Sequence, residues 1–332
     1  MALEPAPSRL ELDERLRAAR PLLLDGALGT MLLAAGLEEG APPERWTLEN
    51  PAAVIETHRA YVEAGSEAIH TNTFGANPVR LARFGLAERV RDLNRTAVRL
   101  ARAAAPSYVL GDIGPTGEAF HSAGPREVQE WKTSFRLQAE ALLAEGVDGL
   151  HIETMLDLRE ASLALAAVRE VSPSIPVLCS LALGPRHGFA SIDGYSAGAA
   201  LSRLAEEGAT AVGVNCSPVS SDLRDLLGLL EVPRDHLDAP ADTSDKAIVP
   251  LLFVAQPSAG HPERRPGGLT NGQDPDRRGG VACTQDPGDF GRDLAEIFSL
   301  APTRLLRIVA VGGCCGTTPS FIAALRQRME QS

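Results

Sequence analysis

The sequence predicts an α/β protein that folds as a single (β/α)8 TIM barrel. Eight short apolar runs recur about 41 residues apart along the chain. The runs show little alternation of polar and apolar residues, which is typical of parallel strands covered on both faces. Amphipathic helical patterns lie between the runs, and eight such strand–helix units are what this barrel requires. An open, doubly wound sheet of eight strands is the alternative that these patterns leave.

The eight predicted strands each combine aliphatic residues with a polar or glycine-containing end. They cover residues 21–28, 68–73, 108–115, 149–155, 176–183, 210–217, 250–260 and 307–315. Asn50 and Pro51 predict the N-cap and first position of a helix over 52–64, and Gly65 follows where a C-terminal glycine is expected. The other predicted helices cover residues 87–105, 126–145, 156–171, 196–207, 288–300 and 318–328.

The barrel is predicted to occupy residues 21–330 as one domain. Residues 1–20 form a short helical extension outside the repeat, which we expect at the bottom of the barrel. Two polar segments interrupt the repeat. Residues 231–245 are expected to connect the sixth helix to the seventh strand. Residues 264–280, rich in Gly, Pro, Asp and Arg, predict a mobile loop before the seventh helix.

The composition excludes several classes of partner. Acidic residues number 43 and basic residues 32, so the net charge is −11. Nucleic acids and anionic membranes bind basic surfaces, and neither is expected here. No apolar run approaches the roughly 18 residues of a membrane helix. The N-terminal residues lack the apolar core of a secretory signal, so we expect a cytoplasmic protein.

Polar residues gather at the carboxyl ends of the predicted strands, where the active sites of barrels lie. Asp25 follows the first strand, Glu153 the fourth and Asn215 the sixth. The two carboxylates could act as general acid or base, or they could bind a substrate ammonium group. A helix cap or a structural salt bridge is the alternative for each of them. His70 and His151 lie within strands and are interpreted as core histidines.

Three of the five cysteines lie at these strand ends. Cys216 ends the sixth strand, and Cys314 and Cys315 end the eighth, so the three thiols can face one point. Three thiolates and one open position form a zinc site of the catalytic type. Thiolates also favour zinc or copper(I) over magnesium or calcium. A structural or incidental cysteine pair is the alternative.

Adjacent strand residues point to opposite faces, so both members of the cysteine pair can bind one ion only if the backbone turns sharply. Gly312, Gly313 and Gly316 permit such a turn. Cys179 and Cys283 are interpreted as a core residue and a loop thiol. With an odd number of cysteines and no export signal, a disulfide framework is not expected.

An ion with three thiolate ligands has a defined chemistry. Three negative charges against two positive ones make it a poor activator of water. It is well suited to hold a fourth thiolate and to keep it nucleophilic near neutral pH. The predicted reaction is attack by a bound substrate thiol on an electrophilic carbon, which is S-alkyl transfer.

These motifs together resemble those of the homocysteine S-methyltransferases. That family includes the homocysteine-binding module of cobalamin-dependent methionine synthase and the methyltransferases that use betaine or S-methylmethionine. The combination of VNC with GGCCGTTP is especially specific. The matching segments are LLLDGALGTML (22–32), NPAAVIETHRAYVEAGSEAIHTNTFGAN (50–77), GDIGPTGE (111–118), EGVDGLHIETMLDLREA (145–161), VGVNCSP (212–218) and VGGCCGTTPSFIAAL (311–325).

The resemblance implies a (β/α)8 barrel that transfers a methyl group to the zinc-bound thiolate of homocysteine and forms methionine. No residue is expected to act as a covalent or acid–base catalyst. The implied zinc ligands are Cys216, Cys314 and Cys315. The implied binding residues for the amino-acid part of homocysteine are Asp25, Gly26, Ala27, Thr71, Glu153 and Asn215.

Three departures from the family pattern border the side from which a methyl donor approaches: His70, Ser258 and a loop after the seventh strand that is longer than expected. His70 stands where methionine synthases usually carry Glu, and Ser258 stands where relatives tend to have Asn. Gly75 stands where betaine users carry a tyrosine, which disfavours betaine. The expected donors are S-methylmethionine, methylcobalamin or a methyl-carrier protein.

Three alternative functions remain at this stage. The chain could methylate another thiol. It could be a homocysteine-binding subunit that acts only with a separate corrinoid or folate methyl-carrier protein. It could also hold zinc for a purely structural purpose.

Overall fold

The computed structural model of the protein describes residues 10–230, 250–260, 263–264, 281–282, 285–300 and 306–331. The predicted connection over 231–245 lies outside the described residues. So do Cys283 and most of the predicted loop over 264–280. Within that loop region, Glu263–Arg264 pairs with Val281–Ala282 as a small antiparallel ribbon.

The described residues contain one sheet of eight strands, in the order β1-β8-β7-β6-β5-β4-β3-β2. All the paired neighbours are parallel. Because β1 pairs with β8, the sheet curls into a nearly closed barrel, and the predicted fold class is confirmed over an open sheet. The strands are β1 (Leu22–Leu23), β2 (Ala68–His70), β3 (Tyr108–Ile113), β4 (Gly149–Met155), β5 (Val177–Leu181), β6 (Ala211–Val219), β7 (Leu251–Ser258) and β8 (Leu306–Val311).

The junction between β1 and β2, which we call the seam, is completed by a backbone contact and by side chains. The backbone N–H of Glu67 donates to the carbonyl of Leu23 at 2.8 Å. Below it, Arg15 donates to both carboxylate oxygens of Glu67, at 2.7 and 3.0 Å. Above it, the carboxylate of Asp25 accepts from the backbone N–H of His70 at 2.9 Å. Side-chain pairs at both ends therefore close the ring.

Helices surround the barrel, and the predicted ones occur close to the predicted positions. Asn50 caps the helix Pro51–Ala64 by accepting from the backbone N–H of Ala53, and Gly65 ends it in the left-handed conformation. The α-helices are Leu12–Leu16, Leu28–Ala34, Trp46–Glu49, Pro51–Ala64, Pro78–Ala82, Val90–Ala103, Pro125–Ala144, Leu158–Val171, Ala197–Glu206, Asp222–Leu230, Pro287–Leu300 and Pro319–Gln331. Short 3-10 turns cover Pro43–Arg45, Ala87–Arg89, Phe120–Ser122 and Pro185–His187.

The lower part of the barrel interior is filled by aliphatic side chains. Leu12 and Leu16 of the first helix belong to the same buried cluster as Leu22, Leu178 and Val254 from the strands. The first helix therefore covers the bottom of the barrel and leaves the upper end for polar residues. The division into an extension over 1–20 and a barrel over 21–330 stays a prediction. Among the described helices, none is both long and apolar enough to cross a bilayer.

The close packing of β6 against β7 gives the first testable prediction. A Cβ atom on Gly213 would lie 2.0 Å from the carbonyl oxygen of Val254, so Gly213→Ala forces a backbone shift. We expect it to lower the free energy of unfolding by about 1–3 kcal/mol in urea denaturation. Gly228→Ala is the control, since a Cβ atom there meets nothing within 4 Å and should stabilise the helix Asp222–Leu230. Equal stabilities of the two variants would contradict this account of the packing.

Candidate active site

The sulfur atoms of Cys216, Cys314 and Cys315 converge at the barrel mouth, which is the carboxyl end of the strands. We call these three sulfur atoms the sulfur group. The Sγ atoms of Cys216 and Cys315 are 3.7 Å apart, and those of Cys314 and Cys315 are 4.0 Å apart. Sulfurs bound at 2.3 Å to one tetrahedral zinc ion are about 3.8 Å apart. The three sulfurs therefore fit a single ion of that size, with Cys315 exposed to solvent.

The backbone explains how adjacent cysteines share one site. Cys314 and Cys315 lie beyond the end of β8, so strand alternation does not separate their side chains. Cys216 has a left-handed backbone, with φ of 64°, and Gly316 has φ of 79°. The backbone of Gly312 and Gly313 is not left-handed. Glycine fits these two positions because the surrounding atoms leave no room for a side chain. A Cβ atom on Gly313 would lie 2.5 Å from the hydroxyl oxygen of Thr317.

The three thiols strongly influence one another. Hydrogen bonds from Cys216 and then Cys314 lower the pKa of Cys315 to about 3. The same contacts, first with Cys216 and then with Cys315, raise the pKa of Cys314 well above its usual value. Three thiolates this close together repel one another, so all three can be ionised at once only beside a cation. Ser258, one of the departures from the family pattern, donates its hydroxyl to the carbonyl of Cys216 at 2.5 Å.

Asn215 connects the sulfur group to a carboxylate. Its side-chain nitrogen donates to Glu153 Oε2 at 2.9 Å and lies 3.9 Å from Cys314 Sγ. It also donates to the hydroxyl of Thr154, and its oxygen accepts from the Thr154 backbone N–H. Thr154 has a left-handed φ of 59° and was not predicted as a site residue. The loss of water around the half-buried Glu153 carboxylate raises its pKa to about 7.

Asp25 lies deeper and is 1% exposed. Its second oxygen, Oδ1, is 2.6 Å from His70 Nδ1, so both carboxylate oxygens contact His70. His70 Nε2 is in turn 2.8 Å from His151 Nδ1, and His151 Nε2 is 2.8 Å from Ser180 Oγ. The two histidines interpreted as core residues are buried, and they also form a chain that begins at a predicted site residue.

The other predicted pocket residues are held by internal contacts. The backbone N–H of Ala27 donates to Thr317 Oγ1 at 3.1 Å, and Thr317 Oγ1 donates to the carbonyl of Cys314 at 2.7 Å. A Cβ atom on Gly26 would lie 2.6 Å from the same hydroxyl. Thr317 thus links the first strand to the sulfur group. The sequence analysis missed it, although it stands in the GGCCGTTP motif that would have pointed to it.

Thr71 and Asp112 complete the acidic side of the mouth. The hydroxyl of Thr71 is 2.6 Å from that of Thr73 and accepts from the backbone N–H of Asp112 at 3.0 Å. Asp112 Oδ1 is buried and has no hydrogen-bond partner among the described residues. Burial, and then the charges of Glu153 and Asp25, raise the pKa of Asp112 well above its usual value. The mouth therefore combines a thiolate-rich cation site with an acidic pocket that suits an ammonium group.

The comparisons with known proteins agree with this arrangement. The sequence profile of the homocysteine S-methyltransferase family matches residues 22–329. The chain belongs to the homocysteine S-methyltransferase family. The resemblance drawn from the motifs is therefore confirmed.

Methionine synthases are among the chain's relatives. The chain is 30% identical to that of Mycobacterium tuberculosis over 323 residues, which cover 91% of this chain and 24% of the relative. It is 29% identical to that of Mycobacterium leprae over 325 residues, with 92% and 24% covered. The chain thus spans about a quarter of the length of these relatives.

Solved structures of a whole-length relative are also similar. The metallated form of the homocysteine methyltransferase MmuM from Escherichia coli is 26% identical, with a TM-score of 0.66. The match covers 96% of this chain and 100% of that one. The oxidized form gives 26% identity and a TM-score of 0.67. These relatives are methyltransferases, which agrees with the predicted enzyme class.

The geometry of the sulfur group predicts one bound ion per chain. Titration of metal-free protein with Co²⁺ should produce thiolate-to-cobalt absorption that saturates at one equivalent. Cys314→Ser and Cys315→Ser should each weaken binding at least about 100-fold, because each removes a thiolate ligand. Cys179→Ala is the control, since Cys179 is buried in β5 outside the sulfur group.

Acid should also weaken metal binding, because protons compete with the ion for the thiolates. Cobalt binding that survives Cys315→Ser, or that does not weaken as the pH falls, would contradict a three-cysteine site. Circular dichroism after chelation tests the structural alternative, which requires the barrel to unfold when the ion is removed.

Proposed function

We propose that the chain is a zinc-dependent homocysteine S-methyltransferase that forms methionine. One observation carries the proposal. In a member of this family, three sulfurs with the spacing of ligands of a single tetrahedral ion lie next to an acidic pocket, and only the side-chain amide of Asn215 separates the two. A thiol-binding ion next to an ammonium-binding pocket matches the two ends of homocysteine.

The donor set suits zinc. Three cysteines supply soft ligands, and the exposed Cys315 leaves one side of the site open to a further ligand. When bound there, zinc would hold a substrate thiol as a thiolate near neutral pH. Ser258 and Thr317 donate hydroxyl hydrogen bonds to the backbone carbonyls of Cys216 and Cys314, which fixes the positions of the ligands.

The protein's own residues bind and orient the amino acid in this proposal. Glu153 is held by Asn215 on the side of the pocket next to Cys314, so its carboxylate is placed to bind the ammonium group. Asp25 supplies a second negative charge from the seam. The backbone around Gly26 and Ala27, together with Thr71, forms the remaining wall. No side chain is assigned a covalent or acid–base step, so alignment and thiol activation carry the reaction.

The donor is one of S-methylmethionine, methylcobalamin and a methyl-carrier protein. Betaine is disfavoured because Gly75 stands where betaine users carry a tyrosine, so the aromatic ring that would bind the quaternary ammonium is missing. The whole-length match to the E. coli homocysteine methyltransferase supports a chain that acts alone. The partial match to the much longer methionine synthases supports the alternative, a subunit that acts with a separate corrinoid or folate carrier protein.

The deciding experiment measures methionine formation by the zinc-loaded protein with homocysteine. S-methylmethionine, betaine and methylcobalamin are supplied in parallel reactions. The proposal is supported if one donor gives turnover, if Cys315→Ser abolishes that turnover and if Cys179→Ala retains it. The same result identifies the donor. Bound zinc that homocysteine perturbs, without turnover, supports the carrier-dependent subunit. Faster turnover with another thiol supports a different acceptor, and absence of both zinc and homocysteine binding contradicts the proposal.

The assigned role of Glu153 gives a separate prediction. Glu153→Gln removes the charge but keeps an oxygen that accepts from Asn215. We expect KM for homocysteine to rise about 10- to 100-fold, because a charged partner of the ammonium is lost. Zinc content should stay the same. Glu170→Gln, at an exposed ion pair with Lys132, is the matched control. An unchanged KM would show that Glu153 does not bind the ammonium.

A further inference from the structure

A hydrogen-bonded chain crosses the barrel interior beneath the proposed pocket. It runs from Asp25 through His70 and His151 to Ser180, with contacts of 2.6, 2.8 and 2.8 Å. We call it the histidine chain. His70 is 7% exposed, and His151 and Ser180 are fully buried. All four ring nitrogens of the two histidines have a partner, so the position of each proton is constrained.

Two arrangements of protons satisfy these contacts when His151 is neutral. In both, His70 Nδ1–H donates to Asp25, which is an acceptor when ionised. If His70 is neutral, its Nε2 accepts from His151 Nδ1–H, and Ser180 donates to His151 Nε2. If His70 is an imidazolium, its Nε2–H donates to His151 Nδ1, and His151 Nε2–H donates to Ser180. The two arrangements differ by one proton.

The surroundings of His70 favour the second arrangement. Asp25 is 1% exposed and its carboxylate lies 2.6 Å from His70 Nδ1, so a neutral His70 would leave a buried charge without a counter-ion. Although burial has the largest effect and lowers it, the charge and hydrogen bond of Asp25 and the charge of Glu153 raise the pKa of His70 above its ordinary value. Burial, and then the His70 charge, lower the pKa of His151 well below its usual value. His58, on the helix Pro51–Ala64, is also held neutral, because burial lowers its pKa to about 4.

A count of charges then distinguishes the two carboxylates of the pocket. Asp25 contacts His70 through both oxygens. A carboxylate oxygen of Glu153 lies within 4.8 Å of ring nitrogens of His70 and His151, and its other described contact is the neutral amide of Asn215. Asp112 on β3 is held toward its neutral form by burial and then by the charges of Glu153 and Asp25. His70 is therefore the counter-ion of Asp25, and Glu153 remains available to bind the ammonium group of a substrate.

We propose that His70 is an imidazolium at neutral pH that neutralises Asp25, positions its carboxylate, and limits the affinity of the pocket for the substrate's ammonium group. The proposal rests on the proposed function, because it assumes that the pocket binds the amino acid. Glu153 is then the main partner of the ammonium. His70 is a positioning residue, and its positive charge repels the bound ammonium. The consequence is an amino-acid site that binds its ligand less tightly than two free carboxylates would.

The charge of His70 can be measured without any substrate. Two-bond ¹H–¹⁵N spectra of the zinc-loaded protein distinguish protonated from unprotonated ring nitrogens. At pH 7 we expect both nitrogens of His70 to be protonated and His151 to carry its proton on Nε2. They should stay so when methionine is bound. A neutral His70 in either state overturns the proposal, whether or not the protein binds homocysteine.

The effect on affinity is measured with methionine, which has the same ammonium group and no ionisable sulfur. His70→Asn keeps an N–H donor near the position of Nδ1 and removes the charge. Because Glu153 also ionises near pH 7, the comparison is made in the Glu153→Gln background. There we expect calorimetry at pH 7 to show methionine binding about tenfold tighter when His70→Asn is added, because a nearby positive charge is lost. With His70 in place, affinity in this background should rise as the pH increases through the pKa of His70, and with His70→Asn this pH dependence should disappear.

The control is His121→Asn, at an exposed histidine of the 3-10 turn Phe120–Ser122. It should leave the methionine affinity and its pH dependence unchanged. Unchanged or weaker methionine binding by a folded His70→Asn variant overturns the proposal and leaves His70 as a structural support of Asp25. Absence of methionine and homocysteine binding by the wild type contradicts the proposed function instead. The spectra then still report the charge of His70.

Discussion

The seam between β1 and β2 is the constraint on which the barrel and its mouth both depend. β1 has only two residues in the sheet, so little backbone pairing is available to close the ring. Arg15 and Glu67 hold the lower end of the seam, and Asp25 and His70 hold the upper end. Asp25 therefore serves two purposes. It joins the ends of two strands, and in the proposed function it also borders the pocket, so the fold and the electrostatics of the site cannot vary independently.

The remaining parts of the site come from the ends of three further strands. β4 supplies Glu153, β6 supplies Asn215 and Cys216, and the turn after β8 supplies two cysteines. Left-handed backbone at Thr154 and Cys216 turns neighbouring residues toward the mouth, a conformation that non-glycine residues rarely adopt. Asn215 then fixes the distance between the carboxylate and the sulfur group. Three strand ends thus set the spacing between the two proposed halves of the ligand site.

Much of this arrangement could be predicted from the sequence, because the pitch of the apolar runs and the polar residues at their ends are local signals. The three cysteines could be grouped because barrel strands end at a common rim. The shortness of β1 could not be predicted, since its apolar run continues into residues that leave the sheet. Thr317 and the close packing at Gly313 depend on contacts between distant segments. The His70–His151 contact joins positions 81 residues apart on β2 and β4, and apolar periodicity indicates only that both are buried. Alternate strands of a barrel share interior layers, and that rule was the available signal.

The same contact has an evolutionary consequence. If either histidine were replaced alone by an apolar residue, the other would keep a buried ring nitrogen without a partner, at a cost of about 1–3 kcal/mol. The histidine chain would also be interrupted between Asp25 and Ser180. Selection should therefore act on positions 70 and 151 as a pair, so that in related sequences they change together or not at all. A family tree of such barrels would then divide into lineages with and without the histidine pair, and few sequences would hold only one of the two.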